Sequence, residues 1–236
     1  MHGLTPFQID TTHGKMKFHE FIGDNWTMLF SHPRDYTRTF LIWVPKSLCA
    51  SAMSTSAAVC TTELSEIAKL QPEFANRGVK LIALSCDSNE EHEGWKEDIC
   101  AVKGSAVEYP IIADSDRSLS VALGFLDPSE RDLDGLPVPV RAVVIIGPDK
   151  KVKLTITYPP SVGRNTVELL RVIDALQLGA QYGGGVATPV NWQQGDDVMI
   201  TPGVTAEQAA EQFPDHKVLE VPSGKQYLRT TPLKQK

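Results

Sequence analysis

Residues 58–74 read Ala58-Val59-Cys60-Thr61-Thr62-Glu63-Leu64-Ser65-Glu66-Ile67-Ala68-Lys69-Leu70-Gln71-Pro72-Glu73-Phe74. Leu64, Ile67, Ala68, Leu70 and Phe74 recur at about 3.6 residues, which predicts an amphipathic helix with Cys60 in its first turn. Free amides and the positive end of the dipole favour an anion there, and they lower a thiol pKa from about 8.5 to between roughly 3.5 and 7.5. A cysteine so placed is largely thiolate at neutral pH. By itself the residue more often fits a small, buried, inert side chain.

Working outward, Trp26–Ser31 is rich in β-formers and reads as a buried strand. It delivers His32-Pro33-Arg34-Asp35-Tyr36-Thr37 to its carboxyl end, where open α/β sheets usually build their sites. Downstream, Val79–Ser85 is a β run entered through Arg77-Gly78, and a helix is expected from about Glu90 to Val102. A short strand from Pro110 to Ala113 and a helical piece from Leu119 to Leu123 follow, with loop at 127–129 and 132–135. Arg141–Ile146 and Lys151–Thr157 flank the turn Gly147-Pro148-Asp149-Lys150, a hairpin signal. Asn165–Leu178 carries Val167, Leu170, Ile173 and Leu176 at helical spacing. Strands alternating with helices, plus one hairpin, give the α/β class with a central sheet flanked by helices.

A composition shift at Tyr182-Gly183-Gly184-Gly185 sets an expected boundary between a domain at 1–182 and a small α+β extension at 183–236. The extension shows β-like pieces near 198–200, 218–221 and 226–229 and a helix over 205–213. Its size is near the limit of independent stability.

The 236 residues are 42% hydrophobic and 22% charged, which is ordinary for a globular chain with a sizeable core. A net charge of −6 argues against nucleic acid or an anionic membrane as the main partner. The opening residues lack a basic-then-apolar leader pattern, and Phe40–Val44 is far too short to span a bilayer, so a cytoplasmic location with no integral membrane segment is expected. The four cysteines, at 49, 60, 86 and 100, show no C-x-x-C pair, and the six histidines lack ligand spacing. Neither a metal site nor a bound cofactor is expected.

Several blocks in one order resemble the one-cysteine peroxiredoxins. They are Ser31–Thr37, Val59–Leu64, Lys80–Ser88, Pro137–Arg141, Gly147–Lys151, Tyr158-Pro159 with Gly163–Asn165, and Ala187–Trp192. The resemblance implies a thioredoxin-like fold with a carboxyl-terminal extension, a homodimer, and attack of the Cys60 thiolate on a peroxide O–O bond. It makes Arg141 the arginine that activates the thiol and Glu63 the acid that holds it. Pro33 becomes the shield against water, Thr37 a hydroxyl donor, and His32 and Arg164 supporting residues. The substrates implied are hydrogen peroxide and organic hydroperoxides, lipid ones included, in cell redox homeostasis. Where two-cysteine relatives carry a resolving cysteine, this chain has Ala187-Thr188-Pro189. The implied reductant is therefore external, glutathione presented by a glutathione transferase, with Cys86 and Cys100 as internal alternatives, of which Cys86 ends a strand expected in the core.

Two departures from the family pattern stand out. Twenty-two residues separate Thr37 from Cys60 where the pattern has two, and Ala57 and Ala58 occupy the places of its threonine and proline. Residues 38–58 read as an inserted segment, an added exon or an unspliced one. Closing the longer loop costs only about 2 kcal/mol, so folding survives, but a displaced donor slows catalysis. A catalytically impaired variant acting as a dimer partner is the alternative reading. The second departure concerns a phospholipase activity of animal members: His19 and Asp149 align with two of its residues, whereas Asn25 stands where a nucleophilic serine is required. That activity is not carried over.

Overall fold

The computed structural model describes residues 7–35, 50–131 and 135–233. In chain order the first unit contains β1 (Gln8–Thr11), β2 (Gly14–Lys17), α1 (Phe18–Ile22), β3 (Trp26–Ser31), α2 (Ala50–Lys69), α3 (Gln71–Asn76) and β4 (Val79–Ser85). It continues through α4 (Asn89–Lys103), β5 (Ile111–Ala113), α5 (Ser118–Ala122), β6 (Leu126–Arg131), β7 (Pro137–Pro139), β8 (Arg141–Ile146) and β9 (Val152–Tyr158). Seven strands form one mixed sheet in the order β2-β1-β5-β4-β3-β8-β9. β3, β4 and β5 run parallel, joined by helical crossovers, and β8 lies antiparallel beside β3. This is the thioredoxin-like arrangement expected from the sequence.

The sheet is apolar on both faces, as buried parallel strands are. On one face Leu29, Ile82, Leu84, Ile112, Val144 and Ile146 pack with Phe18 and Ile22 of α1. The intervening residues Met28, Phe30, Ala83, Ile111, Val143 and Ile145 are also buried, and α2 and α4 pack on each other. α4 is well specified at its ends. Ser88 and Glu91 form a reciprocal capping box, and Gly104 closes the helix with φ +70°, a left-handed conformation that suits glycine.

Cys60 is not in a first turn. α2 begins at Ala50, so residues 50–59 precede the cysteine in a continuous helix, and the end of the segment read as inserted belongs to the same element. The physical reason is local. Between Pro45 and Pro72 there is neither glycine nor proline, and Ala50, Ala52, Met53, Ala57 and Ala58 are strong helix formers. At its other end α2 stops before Leu70, because Pro72 opens α3 and cannot continue a helix that needs its N–H. The loop expected at 127–129 is also corrected: those residues lie in β6, paired with β7. β1 was not foreseen; it is a four-residue strand between β2 and β5 whose alternation is too short to read.

The chain divides by packing into 1–164 and 165–236. The second unit holds α6 (Thr166–Gln181), β10 (Val186–Ala187), β11 (Val198–Ile200), α7 (Ala206–Gln212), β12 (Lys217–Val218) and β13 (Arg229–Thr231). Its four strands form a small antiparallel sheet, and Val186, Trp192, Val198, Ile200, Ala209 and Phe213 make a core of their own. The boundary expected after Tyr182 falls at the end of α6, whereas the packing division falls at its start.

Candidate active site

Three segments converge at the carboxyl edge of β3 and β4. Ser31 ends β3, and its hydroxyl donates to the Val140 carbonyl at 2.6 Å while accepting from the Ala142 N–H at 3.1 Å. This pair of hydrogen bonds to the start of β8 fixes Arg141 between two anchored neighbours. Arg141 is fully buried, as is Cys60. Its Nη1 donates to Cys60 Sγ at 3.2 Å and to Glu63 Oε2 at 2.6 Å, and its Nε and Nη2 donate to the Pro160 carbonyl at 2.9 and 2.8 Å.

Cys60 and Glu63 are three residues apart on one helix, so they share a face and meet the same guanidinium. Glu63 also accepts from the Arg164 backbone at 2.7 Å, from its Nε at 3.0 Å and from its Nη2 at 2.9 Å. Burial works to raise the Glu63 carboxyl, but Arg164 and then Arg141 hold it below the usual range. A buried ion pair needs this degree of satisfaction, because each desolvated charge costs several kcal/mol. Both guanidiniums meet this one carboxylate, and Arg141 also donates to the Cys60 sulfur.

The thiol itself is pulled two ways. Burial pushes Cys60 up and dominates, while the Arg141 charge and a hydrogen bond from the Arg34 backbone pull it down. The helix-start contribution expected from the sequence is missing, since a mid-helix cysteine faces amides already engaged in the helix. Cys86 is further from use: burial pushes its thiol up to about 12.

A second polar cluster lies beside the loop after β3. Asp35 is buried and accepts from His32 Nε2 at 2.7 Å, His92 Nδ1 at 2.5 Å and Ser85 Oγ at 3.3 Å. Its N–H donates to Asp87 Oδ2 at 3.0 Å. The His32 ring lies 5.1 Å from that of Trp95, whose indole N–H reaches Thr61 Oγ1 at 3.2 Å. Ligand atoms of His32, Asp35 and Asp87 lie within 4.8 Å of one another, and hydrogen bonds link His32 to Asp35 and Asp35 to Asp87.

Of the residues singled out in the sequence, Cys60, Glu63, Arg141 and Arg164 come together in direct contact. Pro33 is buried in the loop whose next residue, Arg34, reaches the sulfur. His32 is turned into the Asp35 cluster, and Thr37 lies outside the described residues. Asp35 and His92 were not singled out. They are distant in sequence and in different elements, and no spacing connects them.

A buried cysteine beneath an arginine at the carboxyl edge of a thioredoxin-like sheet points to thiol-based chemistry. The comparisons narrow this further. Residues 50–155 match the AhpC/TSA family, and residues 175–216 match the C-terminal domain of 1-Cys peroxiredoxin. Peroxiredoxin-6 of Rattus norvegicus is 50% identical over 231 residues, covering 96% of this chain and 93% of the relative. The structure of a cysteine-to-serine mutant of peroxiredoxin 6 from Arenicola marina superposes with a TM-score of 0.87 at 48% identity, covering 100% of this chain and 98% of that one. A yeast mitochondrial 1-Cys peroxiredoxin, described with thiol resolution via glutathione/thioredoxin systems, gives 0.79 at 39% identity over 98% of each chain. The chain belongs to the 1-Cys peroxiredoxins, in the peroxiredoxin-6 family. It is accordingly a thiol peroxidase that acts on peroxides. Among the described residues no helix is long and apolar enough to cross a membrane.

Proposed function

We propose that Cys60 is the peroxidatic residue and that its sulfenic acid is recycled by an external thiol, glutathione. The observation that carries this reading is the 3.2 Å contact between Arg141 Nη1 and the buried Cys60 sulfur, with Glu63 and Arg164 holding the guanidinium in place. In the first step the thiolate attacks one peroxide oxygen. The S–O bond forms, the O–O bond breaks, and the departing oxygen takes a proton to leave as water or an alcohol. Arg141 and the Arg34 amide lie where donors stabilise the charge that develops. Glu63 and Arg164 hold the guanidinium, Pro33 excludes water, His32 supports the loop, and Thr37 supplies a further hydroxyl.

In the second step one glutathione thiol displaces water from the sulfenic acid and forms a mixed disulfide. A second thiol then releases Cys60 and leaves oxidised glutathione. The resolution of the yeast relative by glutathione/thioredoxin systems supports this route, as does the high pKa of Cys86, which keeps that residue protonated. The substrates include lipid hydroperoxides, the assembly is a homodimer with a glutathione transferase as accessory partner, and the setting is cytoplasmic redox homeostasis. The domain carrying this chemistry is 1–182, with 183–236 as its extension. For hydrolysis of phospholipids the residues are poorly disposed: Asn25 donates to the Ile22 carbonyl, and Asp149 is held by Lys153 at 2.7 Å.

A second reading, a weakly active dimer partner, is favoured by the course of α2, which runs through Cys60 instead of starting at it. Peroxide consumption decides between the two. With glutathione and its transferase the full chain should turn over hydrogen peroxide and a lipid hydroperoxide repeatedly, and without them it should stop after one equivalent. Consumption sustained by thioredoxin alone would overturn the assignment of glutathione. A first-turnover rate equal to that of free cysteine would favour the second reading.

A further inference from the structure

The loop from His32 to Asp35 reaches the cysteine through Arg34, whose backbone donates to the sulfur. Its far end is tied into the buried cluster. Both nitrogens of the His92 ring face acceptors, the Asp35 carboxylate at 2.5 Å and the Ile112 carbonyl at 3.3 Å. Each must therefore carry a hydrogen, so His92 is an imidazolium and its contact with Asp35 is an ion pair. The His32 ring donates from Nε2 to the same carboxylate, and its buried Nδ1 has no hydrogen-bond partner among the described residues. The Asp35 N–H is held by Asp87, which also accepts from Ser85 Oγ at 2.7 Å. The residue one step after Arg34 is thus locked through its side chain and its backbone. α4 supplies His92 from a first turn that the Ser88–Glu91 capping box makes rigid.

We propose that Asp35 and His92 are positioning residues for the peroxidase reaction: their buried ion pair fixes the 32–35 loop so that the Arg34 amide stays on the Cys60 sulfur. This rests on reading Cys60 as the peroxidatic residue. A donor held by a short loop is sensitive to its anchor, since a displacement of about 1 Å in a catalytic contact costs on the order of a hundredfold in rate. A cluster that only stabilised the fold would leave the thiol unaffected once the protein was folded.

The test uses the full chain and the variants His92→Phe, which removes both donors, and His92→Asn, whose amide replaces the donor to Asp35. Two quantities are read: the midpoint of the ultraviolet thiolate absorbance, taken as the difference from Cys60→Ser, and the rate of the first turnover with hydrogen peroxide. The groups facing the sulfur, Glu63 from α2, Arg141 from β8, Arg164 and the Arg34 amide, are the same in every variant. In His92→Phe the midpoint should rise by about one pH unit and the rate near pH 7 should fall about tenfold, with His92→Asn returning to within about threefold of the parent. If His92→Phe does not fold, Asp35→Asn takes its place and should show the same rise. A folded His92→Phe or Asp35→Asn with the parent midpoint and rate overturns the proposal. Failure of the parent itself to react with peroxide would instead overturn the reading of Cys60, which the parent rate reports separately from the variants' midpoints.

Discussion

Asp87 is a carboxylate that burial, and after it the charge of Asp35, push up to about 6. Its neighbour moves the other way: burial opposes ionisation of Asp35, but the hydrogen bonds from His32 and His92 prevail and bring it down to about 2. The two therefore act on stability with opposite sign. An unfolded aspartate titrates near 3.9, so between about 4 and 6 the folded chain binds the extra proton at Asp87, and stability falls as pH rises through that window. Asp35 contributes stability that is fully present above its unfolded value and is lost as pH falls toward about 2. Asp87→Asn keeps an acceptor for the Asp35 N–H and removes the charge. Chemical denaturation should show the variant gaining about 1–3 kcal/mol over the parent near pH 8 and little near pH 4. An equal difference at both pH values would contradict this account of the site.

The element that decides the chemistry is α2. The sequence pattern predicts a helix that opens at the cysteine, whereas residues 50–59 extend the helix upstream of Cys60. A helix start would add free amides and roughly half a positive charge beside the sulfur. Removing residues 38–57 leaves Thr37-Ala58-Val59-Cys60, restoring the two-residue spacing and placing the cysteine near a new helix start. That version should have a lower thiol pKa and react with hydrogen peroxide at least about tenfold faster in a first turnover, because one well-placed donor is worth on the order of a hundredfold. Equal rates for the two versions would show that Arg141 and the Arg34 amide suffice without the helix terminus.

Across the whole molecule, what could be read in the sequence follows from how local the signal is. β3, β4, β8 and β9 carry continuous apolar runs or a hairpin turn, and they stand where expected. The four contacting site residues were legible because their blocks resemble a known family. The start of α2 was misplaced because an alanine-rich run without an apolar stripe shows helical propensity but no period. Asp35 and His92 escaped notice because only the fold brings the loop after β3 and the first turn of α4 together. The central claim, that this chain reduces peroxides through Cys60 beneath Arg141, is tested most directly by trapping the oxidised sulfur. The full chain is treated with one equivalent of hydrogen peroxide and dimedone, and the label is located by peptide mass spectrometry. The adduct should form on Cys60, form much more slowly in Arg141→Lys, and be absent in Cys60→Ser. An unlabelled Cys60, with the adduct on Cys49, Cys86 or Cys100 instead, would contradict it.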